Sequence, residues 1–158
     1  MWLKLSVMTL VSFIAMYYLM YSMINTIADL IPSVNQAYMA GSMTTAMVGI
    51  ELIVMASMYK NKIARYALIA ASVLLTLLLV LFTRYQTAIG DQDFLRSMIP
   101  HHSGAILMCA NENLSDQEIR DLCREISEGQ QREIDQMNAI RVRLRGSRSA
   151  LPSAEVNR

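Results

Sequence analysis

The chain has 158 residues, 54% hydrophobic and 17% charged, with 14 Lys and Arg against 13 Asp and Glu. This near-neutral balance, with no long basic stretch, excludes nucleic acid as a partner, because too few phosphates could be neutralised to release many counterions. The length allows one or two small domains, and the apolar excess lies in the first half, so a membrane part and a water-facing part meet near Arg84.

Residues 3–24 are apolar apart from Lys4 and a few hydroxyls. At about 1.5 Å per residue this run crosses a hydrocarbon core of ~30 Å. It is too long for the apolar core of a signal peptide. Tyr17, Tyr18 and Tyr21 also stand where a small-residue cleavage site would be, so an uncleaved anchor with an aromatic interface belt is expected. Residues 25–36, with Asp29 and Pro32, read as a loop. Residues 37–58 and 63–82 are the second and third spans, joined by Tyr59-Lys60-Asn61-Lys62. Lys4 before the first span, and Lys60, Lys62 and Arg65 between the other two, orient those ends toward the cytoplasm. Everything after Arg84 is then extracytoplasmic, periplasmic for a bacterial inner membrane.

Within the second span Met39, Met43, Met47, Glu51 and Met55 recur every four residues. Such a stripe could line a path for a soft metal, although methionine is also an ordinary packing residue. Glu51 is costly in hydrocarbon and is expected to pair with a polar group such as Lys60 or a serine of another span.

After the third span Gly90 ends the connection, and Asp91 or Gln92 is expected to cap a helix with Asp93 in its first turn. Pro100 removes an amide donor and clashes with the carbonyl of Arg96, which predicts a kink, or two shorter helices meeting there. The chain's two histidines, His101 and His102, follow at once. On a helix Met98, His101, His102, Ala105, Met108 and Cys109 share one face. Thioether and imidazole together suit copper(I) or silver(I) better than oxygen-seeking cations. The plainer alternative makes the methionines core filler and gives each histidine a hydrogen-bond partner.

Asn111 to Leu114 break the pattern, and Ser115-Asp116-Gln117-Glu118 matches a capping box opening a second helix. Its apolar face runs Ile119, Leu122, Cys123, Ile126, Gln130, Glu133, Ile134, Met137, Ile140 and Leu144. Gln130 and Glu133 interrupt it beside Gly129, a residue that costs about 1 kcal/mol in a helix and so signals a close approach. Arg141, Arg143, Arg145 and Arg148 form a basic helix end that suits the macrodipole. Residues 146–158 are expected to be a disordered tail. The expected layout is therefore a membrane domain over 1–83, an extracytoplasmic helical hairpin over 84–145, and the tail.

A hairpin folded about residue 113 sets His102 opposite Cys123 or Arg124, Met98 opposite Glu128 or Gly129, and Asp93 near Glu133 or Arg132. Cys109 and Cys123 are then offset by about 9 Å along the axis, so no disulfide between them is expected. Both read as small packing residues, with Cys123 as a further soft ligand in the minority reading.

The string D-F-L-R-S-M-I-P-H-H-S-G-A-I-L-M, followed by Q-Q-R-E-I-D-Q-M, resembles the bacterial family called domain of unknown function 305. The resemblance covers residues 91 to about 144. It implies a ferritin-like helical fold and, in characterised members, copper or silver binding outside the cytoplasm linked to metal tolerance. By motif position Asp93, Met98, His101, His102, Met108, Gln130, Glu133 and Met137 carry the family signature. Cys109 and Cys123 stand where the family usually shows alanine. The expected fold is thus all-α: three transmembrane helices and a hairpin like half of a ferritin-like four-helix bundle, which a homodimer would complete.

The expected function is a membrane-anchored protein that binds copper(I) or silver(I) for sequestration, relay or tolerance. His101 and His102 would supply nitrogen, and Met98, Met108 and Met137 sulfur. Gln130 and Glu133 would orient the rings, with Asp93 and Cys123 as further candidates. Membrane lipid, a second copy and a metal donor or acceptor protein are the expected partners, and no organic cofactor is expected. A metal-free dimerisation or sensing module is the alternative. A di-iron oxidase fits poorly, because Met98 and Ile99 stand where its Glu-x-x-His carboxylate belongs, so no catalytic residue is expected.

Overall fold

The computed structural model describes residues 2–110 and 114–149, and every regular element among them is helical. The helices are α1 (Trp2–Leu19), α2 (Val34–Val54), α3 (Lys62–Arg84), α4 (Asp91–Cys109) and α5 (Gln117–Ser149), with short 3-10 turns at Met20–Met23, Ile27–Asp29 and Ala56–Met58. They form two compact units. One holds the chain up to Ser22 together with Ser33–Ile89, and the other holds Met23–Pro32 together with the chain from Gly90 onward.

In the first unit, Trp2–Met23, Val34–Val54 and Lys62–Arg84 are each long and apolar enough to cross a membrane. Local chemistry explains their ends. The Ser33 hydroxyl accepts from the Gln36 amide at 3.3 Å, and the Asn61 side chain accepts from the Ala64 amide at 3.0 Å, so orphan donors at the starts of α2 and α3 are satisfied. α3 closes with Thr87 N–H donating to Phe82 O and Gln86 N–H to Thr83 O, the paired bonds of a Schellman end. Gln86 takes the left-handed φ of 51° that glycine usually supplies there.

α1 and α3 both pack on α2. Small residues allow it: a Cβ on Gly49 would stand 2.6 Å from Ser72 Oγ, and the Thr45 and Thr76 hydroxyls meet at 2.8 Å. Between the three helices lies an apolar cavity of about 900 Å³, lined among others by Leu5, Phe13, Gly41, Val48, Leu75 and Leu79. None of Met39, Met43, Met47 and Met55 lines it. Glu51 finds neither Lys60 nor a serine. The Tyr59 hydroxyl donates to its Oε1 at 3.1 Å, while Oε2 is buried with no hydrogen-bond partner among the described residues. The 3-10 turn after α2 brings the tyrosine back over the carboxylate, whereas Lys60 stays exposed.

The second unit is an antiparallel hairpin of α4 and α5 with the segment Met23–Pro32 laid on it. Its core is Ile31, Leu95, Ile99, Ile134 and Met137. α4 runs unbroken through Pro100, so two shorter helices do not form. Its N-cap is Gly90, and Asp91 and Asp93 both lie in its first turn, where carboxylates suit the helix dipole. α5 is capped by Asp116, whose side chain accepts from the Ile119 amide at 3.1 Å, rather than by Ser115. Arg120 reaches back to the carbonyls of Leu114 and Ser115. The break expected at Asn111 to Leu114 lies mostly outside the described residues. α5 continues past Gly146 to Ser149, where a tail was expected to begin, and the remainder of that segment also lies outside the described residues.

Candidate metal centre

Successive residues on a helix turn by about 100°, and the core of the hairpin decides which side of α4 is buried. Leu95, Ile99 and Ser103 take the inner side, with Met98 and Ile106 packed at its rim. His102 falls at the edge, its side chain only 13% exposed. His101 falls outside and is exposed, as is Met108 at 64%. The expected stripe is thus split between a half-buried part, Met98 and His102, and an open part, His101 and Met108. Met137 is buried in the core.

His102 Nδ1 lies 3.0 Å from Glu133 Oε2. The distance is right for a hydrogen bond but the alignment is not, so the buried Nδ1 has no satisfied bond among the described residues. Burial holds the imidazole below its ordinary pKa; the Glu133 carboxylate pulls the other way, and the neighbouring His101 adds to the lowering. The two histidine rings stand with centroids 6.1 Å apart and planes at 60°. An ion bonded to both rings at ~2 Å would set the centroids about 6 Å apart. Among the described residues no group of three His, Cys, Asp or Glu gathers closely enough to hold a metal ion.

The pairing of the two helices differs from the fold about residue 113. Cys109, the last residue of α4, is joined by a disulfide to Cys123, with Cα atoms 5.1 Å apart. The expectation of no disulfide is therefore wrong, and Cys123 in this form offers no thiolate. The cause is register: α5 starts at Gln117, so its residues before Cys123 extend beyond the level where α4 ends. The whole ladder shifts with it. His102 meets Glu133 rather than Cys123 or Arg124, and Met98 packs against the core of Ile134 and Met137 rather than Glu128 or Gly129. Asp93 pairs with Arg96 of its own helix at 3.5 Å, and lies nine residues from His102, about 13 Å along the axis. Gln130 is half-buried one turn before Ile134, on the face of α5 that also carries Met137.

One cluster beside the histidines escaped the sequence reading. Asp29, buried, accepts at Oδ2 from the Ser103 hydroxyl at 2.6 Å and the Thr26 hydroxyl at 2.9 Å, and the Asn25 amide donates to Ser103 Oγ at 2.8 Å. Close packing accompanies it, since a Cβ on Gly104 would come within 3.2 Å of the Met23 carbonyl. The signal available in the sequence was an acidic residue in a short loop and a serine directly after the histidines. Neither reveals a partner more than seventy positions away.

Residues 81–147 match the family described as Domain of unknown function (DUF305). The chain is also similar to "Uncharacterized protein L153" of Acanthamoeba polyphaga mimivirus, 33% identical over 136 residues that span 84% of this chain and 88% of that protein. A likeness of that length extends beyond the hairpin into the apolar first half. No solved structure matches the chain.

Proposed function

The chain belongs to the DUF305 family, and we propose that it is a membrane-anchored protein whose helical hairpin binds a soft monovalent ion, copper(I) or silver(I), in sequestration, relay or tolerance. The observation that carries this reading is the pair of imidazoles 6.1 Å apart, one exposed and one half-buried with Glu133 3.0 Å from its Nδ1. With the Glu133 carboxylate this close, a small turn of the ring aligns Nδ1–H with it and leaves the Nε2 lone pair free for a metal. His101 and His102 supply nitrogen, and Met98, one turn before His102, supplies a thioether. Met137 backs the site from α5, and Met108, exposed at 64%, receives or passes on an ion from a partner protein. Gln130 and Glu133 hold the ring orientation, while Asp93 lies too far along α4 to join them.

The hairpin belongs on the extracytoplasmic side, with the N-terminus in the cytoplasm of a bacterial inner membrane. Lys60, Lys62 and Arg65 at the α2–α3 turn favour that orientation, and so does the Cys109–Cys123 disulfide, a bond that persists in oxidising compartments. Two hairpins form a ferritin-like four-helix bundle as a symmetric dimer, which gives exposed Phe94, Ile119 and Leu122 a partner.

The test is a copper(I) titration of the full chain in detergent micelles against a chromophoric copper(I) chelator. Replacing both His101 and His102 by Ala is expected to weaken binding by at least 100-fold, and Glu133→Gln by about 10-fold. Unchanged affinity in the double variant overturns the reading.

A further inference from the structure

The disulfide at the tip of the hairpin has a chemical use beyond stapling. Cys109 lies seven residues after His102 on the same side of α4, about 10 Å along the axis. Exposed Met108 is its neighbour in the chain. Both cysteines are only partly buried, so an aqueous ion can reach them. The core of Ile31, Leu95, Ile99, Ile134 and Met137 lies toward the other end of the hairpin, away from the S–S bond. With Cα atoms 5.1 Å apart, the two thiols released by reduction stay within reach of one metal ion.

We propose that Cys109 and Cys123 form a dithiol/disulfide couple that reduces copper(II) to the copper(I) which the histidine site then holds. The proposal rests on the binding function above and adds its electron source. An oxidising compartment presents copper as copper(II), whereas imidazole and thioether favour copper(I). The step balances. The dithiol gives up its two protons to water and one electron to each of two copper(II) ions, an S–S bond forms between Cys109 and Cys123, and two copper(I) ions result. A dithiol protein restores the couple by thiol–disulfide exchange, supplying two electrons and two protons.

The experiment takes the full chain in micelles, reduced, freed of reductant and kept under argon. A copper(II) salt is added, copper(I) is counted with a colorimetric chelator, and remaining thiols are counted with a thiol reagent. The expected result is two copper(I) for each pair of thiols lost, with the new disulfide inside one chain. The C109S/C123S variant is expected to form no copper(I) above buffer, yet to bind copper(I) supplied directly with the affinity of the disulfide-bonded wild-type chain. If that variant does not fold, as judged by its helical circular dichroism, alkylated wild-type chain takes its place. The H101A/H102A variant is expected to give the same copper(I) count with chelator present, but to retain no copper(I) through a desalting column run before chelator is added, where wild type retains it. The proposal is overturned if the cysteine-free protein makes as much copper(I) as wild type, if the reduced thiols survive copper(II), or if the disulfides join separate chains. Failure of directly supplied copper(I) to bind wild type while the redox count holds would instead remove the binding function.

Discussion

The two units of this chain are built from the same element and bury opposite things. In the first, the large apolar side chains of α1, α2 and α3 mostly point away from one another, and the close contacts are made by Gly49 against Ser72 and Thr45 against Thr76. In the second, Leu95, Ile99, Ile134 and Met137 turn inward and the charges of α5 turn out. Water sorts apolar from polar side chains; hydrocarbon does not, and leaves packing to small residues and hydroxyls. The hairpin therefore carries an oriented interior able to hold a polar site, and the apolar unit carries three helices long and apolar enough to cross a membrane.

That contrast breaks most visibly at Ile99, which is 0% exposed. Ile99→Ala is expected to cost the hairpin about 2–5 kcal/mol. The same change at Leu10, 60% exposed on α1, is expected to stay within about 0.5 kcal/mol. Chemical denaturation of the full chain in micelles, followed by hairpin amide exchange, reads both; equal costs would mean that the two units are sorted by the same solvent. Next in size is Asp29→Ala, which leaves the Ser103 and Thr26 hydroxyls without their acceptor. About 1–3 kcal/mol of local stability is expected to go, seen as faster exchange across residues 23–32, and unchanged protection there would make the network incidental.

The smallest effect sharpens the site itself. Burial holds His102 below the ordinary imidazole value, so the folded hairpin takes up that proton less readily than the unfolded chain. Its stability is full above about pH 6.5 and falls as pH drops below that value, until His102 itself is protonated. Glu133→Gln removes the one contribution that raises the pKa, so His102 should titrate lower still and the acid-sensitive window should widen. Proton NMR of the imidazole follows this directly, and an upward shift in the variant would show that Glu133 does not act on the ring.

Much of the candidate site was legible because it is local. Met98 and His102 are one helical turn apart and share the half-buried side of α4, as their spacing requires, while His101 turns outward. What misled was the link between helices. Placing the turn at residue 113 assumed that α4 and α5 end level, but Cys109 closes α4 beside Cys123, the seventh residue of α5. A shift of that kind turns Cys123 from a distant residue into the disulfide partner, and sets Glu133 at His102. The role of Asp29 was hidden for a related reason: two residues in a hydrogen bond leave no periodic trace when two whole helices, α2 and α3, separate them.

The sequence by itself determined the elements: where apolar runs are long enough to cross a membrane, where charge begins to alternate, and which side chains share a helix face. These follow from composition and from the 3.6-residue period, which act over neighbouring positions. Only the tertiary structure decided the register of α4 against α5, the Cys109–Cys123 bond, the Asp29–Ser103 tie and the Tyr59–Glu51 pairing. Each depends on how connecting segments spend their few residues of length, and burial of the apolar faces then locks the partners that this length allows.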